Sequence, residues 1–433
     1  MDKKAVTTNE PISRMGYIVA IIIFIAMVAD GMDAQFLAMS LPVLMKDFQL
    51  NNVMAGLLTT WTLLGMLIGG TLSGWLSDRF GRVKVTAYGI IFFSVCTSAL
   101  ALTNTFWQFA VIRFISGFGL AAVFSVGTVM AAEYIPTSRR TTVLGIIQAG
   151  LSVGYVMAAV LSAYFLPNFG WRPMFAIAIL PAFLSIVLLR TLKESPSWIA
   201  AREQRKLDKK PTNEWVNIFS DKTSRKYFLL WIITSFFLQA GFYGANSWLP
   251  TYLAKDLGVN LKTVGWFVAG NYTMMIFGKI LAGYLADRFG RKIVWVLFCL
   301  ATAVTLPLVM TYAQPANVGY FLLIFGFLYG APFAIIATYM NESFPTKVRG
   351  TAVAAAYNGG RVGSLIAPVA IGYLATQYSV GYGIAILGVA YAIGALNTGL
   401  FIREKLYDPQ SLDTATMSTA CIEKETEGSS IMR

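Results

Sequence analysis

Five charged side chains stand inside stretches that are otherwise strongly apolar: Asp30 and Asp33, Arg113, Lys279 and Arg361. On a membrane-spanning helix an ionised group facing lipid costs about 2.5 to 3.5 kcal/mol on insertion scales, so each should face a cavity or a partner. The chain has no histidine, and any proton carriage falls to carboxylates. Asp30-Gly31-Met32-Asp33 sets two of them beside a glycine that lets a second helix come close. At about 1.5 Å per residue, Asp33 lies roughly 12 Å below the end of its run near Leu41, and Arg113 roughly 9 Å below Trp107. Matched depth permits pairing, either as a mobile contact or as a fixed lock between two helices. Arg361 is about 16 Å into its run from Gly350, among Gly359, Gly360 and Gly363. A guanidinium there offers a planar fork to a carboxylate, or pairs with an acid such as Asp30, or donates to backbone carbonyls. Lys279, nearer a helix end, has the reach to snorkel toward water.

The elements that carry these groups follow from composition. At 56% hydrophobic and 13% charged residues over 433 positions, the chain has more apolar surface than one water-soluble core can hide. Apolar runs near 16–41, 53–76, 85–103, 107–131, 141–166 and 171–190 are each long enough to span a bilayer, and six more follow near 227–249, 263–286, 293–313, 317–340, 350–375 and 381–402. The first run reads as a spanning helix and not as a removed leader. The formal charge of +13 sits in short clusters between runs, which is a topology signal and not a nucleic-acid footprint. Lys and Arg crowd the N-terminus, the Asp78–Lys84 loop, Arg139 and Arg140, the central stretch, Arg288–Lys292, Lys347, Arg349 and the tail, whereas the alternate loops hold only Lys46, Arg172, Lys255 and Lys262. Both termini and the central loop are therefore expected on the cytoplasmic side. Cys96, Cys299 and Cys421 lack metal-ligand spacing, and neither a disulfide nor a metal site is expected.

The chain repeats itself. Gly74-Trp-Leu-Ser-Asp78-Arg79-Phe-Gly81-Arg82 recurs as Gly283-Tyr-Leu-Ala-Asp287-Arg288-Phe-Gly290-Arg291, an offset of 209 residues (287 − 78). Glu133-Tyr-Ile-Pro136-Thr-Ser-Arg139-Arg140 recurs as Glu342-Ser-Phe-Pro345-Thr-Lys-Val-Arg349 at the same offset, and Gly150 and Gly154 map onto Gly359 and Gly363. Two parallel six-helix repeats about an axis along the membrane normal follow, with a solute site at their interface near the midplane. The expected units are an N-terminal bundle over 1–190, a cytoplasmic central loop over 191–226, a C-terminal bundle over 227–402 and a cytoplasmic tail over 403–433.

At Asp78-Arg-Phe-Gly-Arg82 and its echo the chain resembles the major facilitator superfamily, whose halves carry G-x-x-x-D-R-x-G-R between their second and third helices. The resemblance implies an all-α membrane protein of twelve transmembrane helices in two pseudo-symmetric bundles. An Asp beside two Arg at a helix end can pair in one rocking state and release in the other, which makes Asp78, Arg79, Arg82, Asp287, Arg288, Arg291, Glu133, Arg140, Glu342 and Arg349 candidate gating residues, against the reading of a merely solvated loop. Asp30-Gly-Met-Asp33 further resembles the D-G-x-D signature of the aromatic acid:proton symporter family, with Arg113-Phe-Ile-Ser-Gly117-Phe-Gly119 and Gly360-Arg361-Val-Gly363 in agreement. Lys193-Glu194-Ser195-Pro196-Ser197-Trp198 is similar to a stretch of sugar porters, P-E-S-P-R-W, with the first Pro and the Arg replaced.

The resemblance implies proton-coupled uptake of a small organic anion, an aromatic carboxylate or a related dicarboxylate such as muconate, by a monomer in the bacterial inner membrane, without a cofactor. In that scheme Asp30 or Asp33 carries the proton, Arg113 modulates it and Arg361 holds the carboxylate. Gln148, Tyr155, Gln239, Tyr243, Asn246, Tyr357 and Asn358 lie at depths that suit a cavity wall, although one such group is more often an interhelical hydrogen bond. A sugar or nicotinate porter shares the loop motifs, and a proton-coupled exporter shares the fold, but Gly145 to Gly154 lack the proline expected of exporters in the fifth helix. A sensor would be expected to carry a sizeable soluble output segment, and an enzyme a nucleophile–base pair or a phosphate loop; neither pattern is found.

Overall fold

The computed structural model describes residues 12–135, 137–192, 194, 198–199 and 214–404; the remainder, and the side chains of Asp78, Glu133, Arg140 and Arg349, lie outside the described set. Expectations for most of the central stretch, the tail and Cys421 therefore fall outside it as well.

Among the described residues twelve long helical segments run in chain order. They are α1 (Arg14–Asp47), α2 (Asn52–Phe80), α3 (Arg82–Ala99), α4 (Phe106–Ala122, continuing through a π turn into Thr128–Tyr134), α5 (Thr137–Phe169) and α6 (Arg172–Ala176 with Pro181–Thr191). Then come α7 (Lys222–Lys255), α8 (Leu261–Phe289), α9 (Arg291–Tyr312), α10 (Val318–Tyr329 with Pro332–Asn341), α11 (Thr346–Gln377) and α12 (Val380–Ala385 with Leu387–Phe401). A short helix, Glu214–Ser220, occupies part of the stretch expected as a polar loop. The helices overrun the apolar runs because polar caps can extend them into water. Asn51 accepts from the Met54 N–H at 2.8 Å to start α2, and Asn260 accepts from Thr263 N–H at 2.9 Å to start α8. The backbone thus keeps the 209-residue offset: the starts of α2 and α8, of α3 and α9, and of α5 and α11 all differ by it.

Among the described residues ten helices are long and apolar enough to cross a membrane by themselves. The other two, α8 and α11, are 29 and 32 residues long but carry Asn271, Tyr272 and Lys279, and Tyr357, Asn358 and Arg361. They can be polar because of where they stand. Helix α8 lies between α5 and α10, and α11 between α2 and α7, so each turns much of its surface to protein.

Helices approach where glycine removes the side chain. A Cβ on Gly154 would overlap the Val28 carbonyl of α1, and one on Gly363 would overlap the Phe236 carbonyl of α7, the two contacts being equivalent under the repeat. Between halves, Asn52 donates to the Ala375 carbonyl at 2.9 Å and Thr60 to that of Leu365 at 2.7 Å, while Gly265 packs on Ala159 and Ala163. These contacts use the first halves of α2 and α8 and the second halves of α5 and α11. They close the face at which α1 ends, called here the far face; α1 begins at the near face.

At the near face the α2–α3 and α8–α9 turns are each made by a glycine at positive φ, Gly81 at 113° and Gly290 at 101°. The Glu194 carboxylate accepts from the Arg82 and Val83 N–H groups at 2.8 and 3.1 Å, and Glu404 accepts from Arg291 N–H. Each acid follows the sixth helix of its half and caps the third, where unpaired N–H groups and the helix dipole favour an anion. Trp198 donates a hydrogen bond to the Ser77 carbonyl at 3.0 Å, so that Glu194 and Trp198 both have a structural use.

The glycine contacts give a signed prediction. Gly363→Ala drives a methyl into a backbone carbonyl that cannot swing aside, and is expected to destabilise by about 1 to 3 kcal/mol. Gly394→Ala on α12, with nothing within 4 Å of the added carbon, is expected to be neutral or to stabilise by roughly 0.5 to 1 kcal/mol. Thermal unfolding of the two variants in detergent tests the opposite signs.

Candidate functional site

One cavity lies where the two halves meet. From α1 it receives Asp30, Asp33, Ala34 and Leu37, spaced to share one helix face. Helix α2 contributes Thr59, Thr62, Leu63 and Met66, α4 Arg113 and Leu120, and α5 Leu151 and Tyr155. From the second half come Tyr243, Asn246 and Ser247 of α7 and Arg361 of α11. The free volume is about 60 Å³, room for a few waters.

The strongest interaction in it is the ion pair between Arg113 and Asp33, 2.7 Å from Nη1 to Oδ2, with both side chains almost wholly buried (0% and 1% exposed). A second guanidinium nitrogen reaches the Asp33 carbonyl at 3.4 Å, and the cation lies 5.2 Å from the Phe175 ring centre and 5.8 Å from that of Phe109. The pair is not saturated: within the described residues Asp33 Oδ1 and Arg113 Nε have no hydrogen-bond partner. Such a pair is held in place yet retains capacity for a further donor or acceptor. Asp30, one turn closer to the near face, makes no hydrogen bond or ion pair among the described residues and shares the cavity with Arg361.

Above the pair a polar node joins the halves. The Tyr272 hydroxyl of α8 meets Gln35 Oε1 of α1 at 2.8 Å and also Asn246 Oδ1 of α7. A phenol has one proton for these two contacts, so one of the amides must present its NH₂ to the phenol oxygen. The Tyr155 ring lies 5.0 Å from that of Tyr272, extending the contact to α5.

Of the polar residues expected in the wall, Tyr155, Tyr243 and Asn246 line the cavity. Four do not. Gln239 is buried and donates to the Tyr357 carbonyl at 2.8 Å, a strut between α7 and α11, and Tyr357 itself stands outside the lining. Asn358 is exposed and turns its amide back to the Ala354 carbonyl of its own helix at 2.9 Å; Gln148 is exposed as well. All four stand three, four or seven residues before a lining residue of the same helix, on the same face but nearer the near face. Lys279 does not snorkel: its ammonium crosses to Ser152 Oγ of α5 at 3.0 Å. Sequence reasoning missed Thr59, Thr62, Ser247, Gln35 and Tyr272. Small hydroxyl residues are common in spanning helices and give no signal, whereas Gln35, an amide two residues beyond Asp33, was a readable one.

Among the candidate gating residues, Arg291 contacts Asp287 at 3.1 Å and Glu342 at 3.2 Å, tying the start of α9 to the ends of α8 and α10. Arg79 lies over the Trp75 and Phe80 rings at 5.6 and 5.7 Å, and Arg288 is exposed beside Tyr284. Arg82 is half-buried at the α2–α3 turn.

Comparison with known proteins adds a family and relatives. The description Major Facilitator Superfamily matches residues 23–262 and 240–418. A cis,cis-muconate transport protein of Acinetobacter baylyi is 44% identical over 409 residues, covering 93% of this chain and 99% of the relative. A putative metabolite transport protein of Haemophilus influenzae is 33% identical, covering 87% and 93%. Among solved structures, that of a D-xylose–proton symporter superposes with a TM-score of 0.74 at 22% identity, over 90% of this chain and 98% of that one.

The buried pair yields a stability test independent of substrate. Asp33→Asn or Arg113→Gln alone leaves one charge without its partner and is expected to cost about 3 to 5 kcal/mol. The double variant removes both charges and is expected to cost clearly less than the two single changes added together. A double-mutant cycle read by unfolding in detergent checks this; additive losses would show that the two groups do not act as a pair.

Proposed function

This chain belongs to the Major Facilitator Superfamily, and from that premise we propose that it is a proton-coupled importer of a small organic anion, an aromatic carboxylate or an unsaturated dicarboxylate such as cis,cis-muconate. It is a multi-pass membrane transporter and not an enzyme. The observation that carries the substrate class is the charge set of the central cavity: Arg361 on one wall, Asp30 without an ion pair among the described residues, and a buried Asp33–Arg113 pair. The likeness to the muconate transport protein supports the same class.

In this reading the guanidinium of Arg361 forks onto a substrate carboxylate. Asp30 takes the proton, which removes the negative charge that would otherwise repel the incoming anion or compete for Arg361. Asp33 and Arg113 hold α1 against α4 near the proton site. The excess of Lys and Arg at the near face makes that face cytoplasmic, and the closed far face then makes this the inward-facing arrangement, in the bacterial inner membrane. The Asp287–Arg291–Glu342 contacts and, by the repeat, Asp78, Arg82 and Glu133 act as the near-face gate, to which Arg79, Arg140, Arg288 and Arg349 are assigned as well. The protein works as a monomer, one site per two halves.

Transport by purified protein in liposomes, with cis,cis-muconate and benzoate as test solutes, checks the assignment. Asp30→Asn is expected to abolish accumulation driven by a pH gradient while leaving exchange of internal for external solute. Arg361→Gln is expected to weaken solute binding roughly tenfold to a hundredfold, and Arg361→Lys to fail to restore it, because the point charge lacks the fork. Full gradient-driven accumulation by Asp30→Asn would remove the proton role.

For the gate, Arg291→Gln severs contacts to both acids. It is expected to shift the balance between near-open and far-open forms with little change in solute affinity, read by labelling single cysteines from each side. An unchanged labelling pattern would reduce these loops to a topology signal.

A further inference from the structure

The internal repeat relates two positions at the centre of the molecule that differ in chemistry. Arg361 is 15 residues past the start of α11 at Thr346, and Ser152 is 15 residues past the start of α5 at Thr137, so the 209-residue offset makes them counterparts. They stand at one depth on opposite sides of the axis between the halves. The arginine has no arginine opposite it. What it has opposite is Ser152, and Ser152 holds the Lys279 ammonium at 3.0 Å. Lysine 279 in turn has Gly70 as its counterpart, so only one lysine of this kind exists. The backbone symmetry is broken in sequence but restored in charge: the position related to Arg361 by the repeat is held by a hydroxyl that binds a cation.

Lys279 is also short of partners. Its bond goes to a neutral hydroxyl, an ammonium has three donors, and no acid contacts it among the described residues. A cation within a spanning helix and without an anion is costly unless an anion arrives. Ser152 adjoins Leu151, which lines the cavity, and stands to one side of the Leu151–Tyr155 face, itself outside the lining. The volume of about 60 Å³ is too small for the ten heavy atoms of a six-carbon diacid, and the wall between α5 and α8 has to yield as such a ligand enters.

We propose that Lys279, positioned by Ser152, binds a second carboxylate, so that the site is a two-cation clamp selecting dicarboxylates over monocarboxylates. This rests on the reading that Arg361 holds the first carboxylate. A rigid diene with a carboxylate at each end engages both cations at once, with its flat middle against Tyr155 and Tyr243; a monoanion engages one and leaves the other uncompensated.

The test is equilibrium binding to the purified full-length chain of two ligands with one skeleton, cis,cis-muconate and its monomethyl ester. Wild type is expected to prefer the diacid roughly tenfold to a hundredfold, the worth of one charge-assisted hydrogen bond. Lys279→Gln is expected to bring that ratio close to one by weakening the diacid far more than the ester, and Lys279→Arg to keep most of it. Arg361→Gln weakens both ligands. A wild-type ratio near one overturns the clamp without recourse to any variant. So does a Lys279→Gln protein that keeps the preference, or that loses both ligands alike. If wild type binds muconate and ester equally well, the anion reading stands and only the clamp falls; if it binds neither, both fall.

Discussion

A charge on a helix that crosses a bilayer has to be turned toward protein, and much of this molecule follows from that one requirement. Asp33 and Arg113 meet it by pairing at 2.7 Å in the middle of the first half. Lys279 meets it by crossing the boundary between halves to Ser152. Arg361 and Asp30 meet it by facing the cavity. Helices α8 and α11, the two least apolar of the set, sit between neighbours from both halves, while the more apolar helices can present Ile, Leu, Val and Phe outward.

Close helix packing makes this placement possible. Lipid supplies no hydrophobic drive for one helix to leave it for another, so association depends on contact and on hydrogen bonds. Glycines supply the contact: Gly31 and Gly154 set α1 against α5, Gly65 and Gly117 set α2 against α4, and Gly360 and Gly363 set α11 against α7. The same surfaces that bring backbones together hold Asp30 and Asp33 at the depth of Arg113. A helix surface that is smooth and tight is also one that can slide or rock, and the inter-half contacts at the far face are of the same kind, with few side-chain bonds across them.

The two halves share a backbone plan and divide the chemistry. The first half holds the carboxylates and their arginine; the second contributes Tyr243, Asn246 and Arg361. At the near face the plan is kept down to single residues, with Gly81 and Gly290 at the turns and Glu194 and Glu404 capping the helices that follow. Repetition is preserved at the helix ends and is lost at the centre, where the two walls carry different side chains.

The sequence by itself determined the spans, their number, the internal repeat and which charges stand inside the spans, because lipid penalises a polar group wherever it stands and hydropathy registers that penalty residue by residue. Relative depth along one helix follows from counting at about 1.5 Å per residue. Only the tertiary structure decided where along the helices the cavity lies and which partner each polar group meets. A helix with lipid on one side and protein on the other is apolar on both, so its pattern does not say which side is which. Gln148 and Asn358 are exposed nearer the near face, outside the lining, Gln239 is spent on a backbone carbonyl, and Lys279 reaches inward across the interface and not out to water. The contacts of Asp33 with Arg113, of Tyr272 with Gln35 and Asn246, and of Lys279 with Ser152 join residues far apart in the chain, and their existence depends on how two bundles meet, a relation that no single helix encodes.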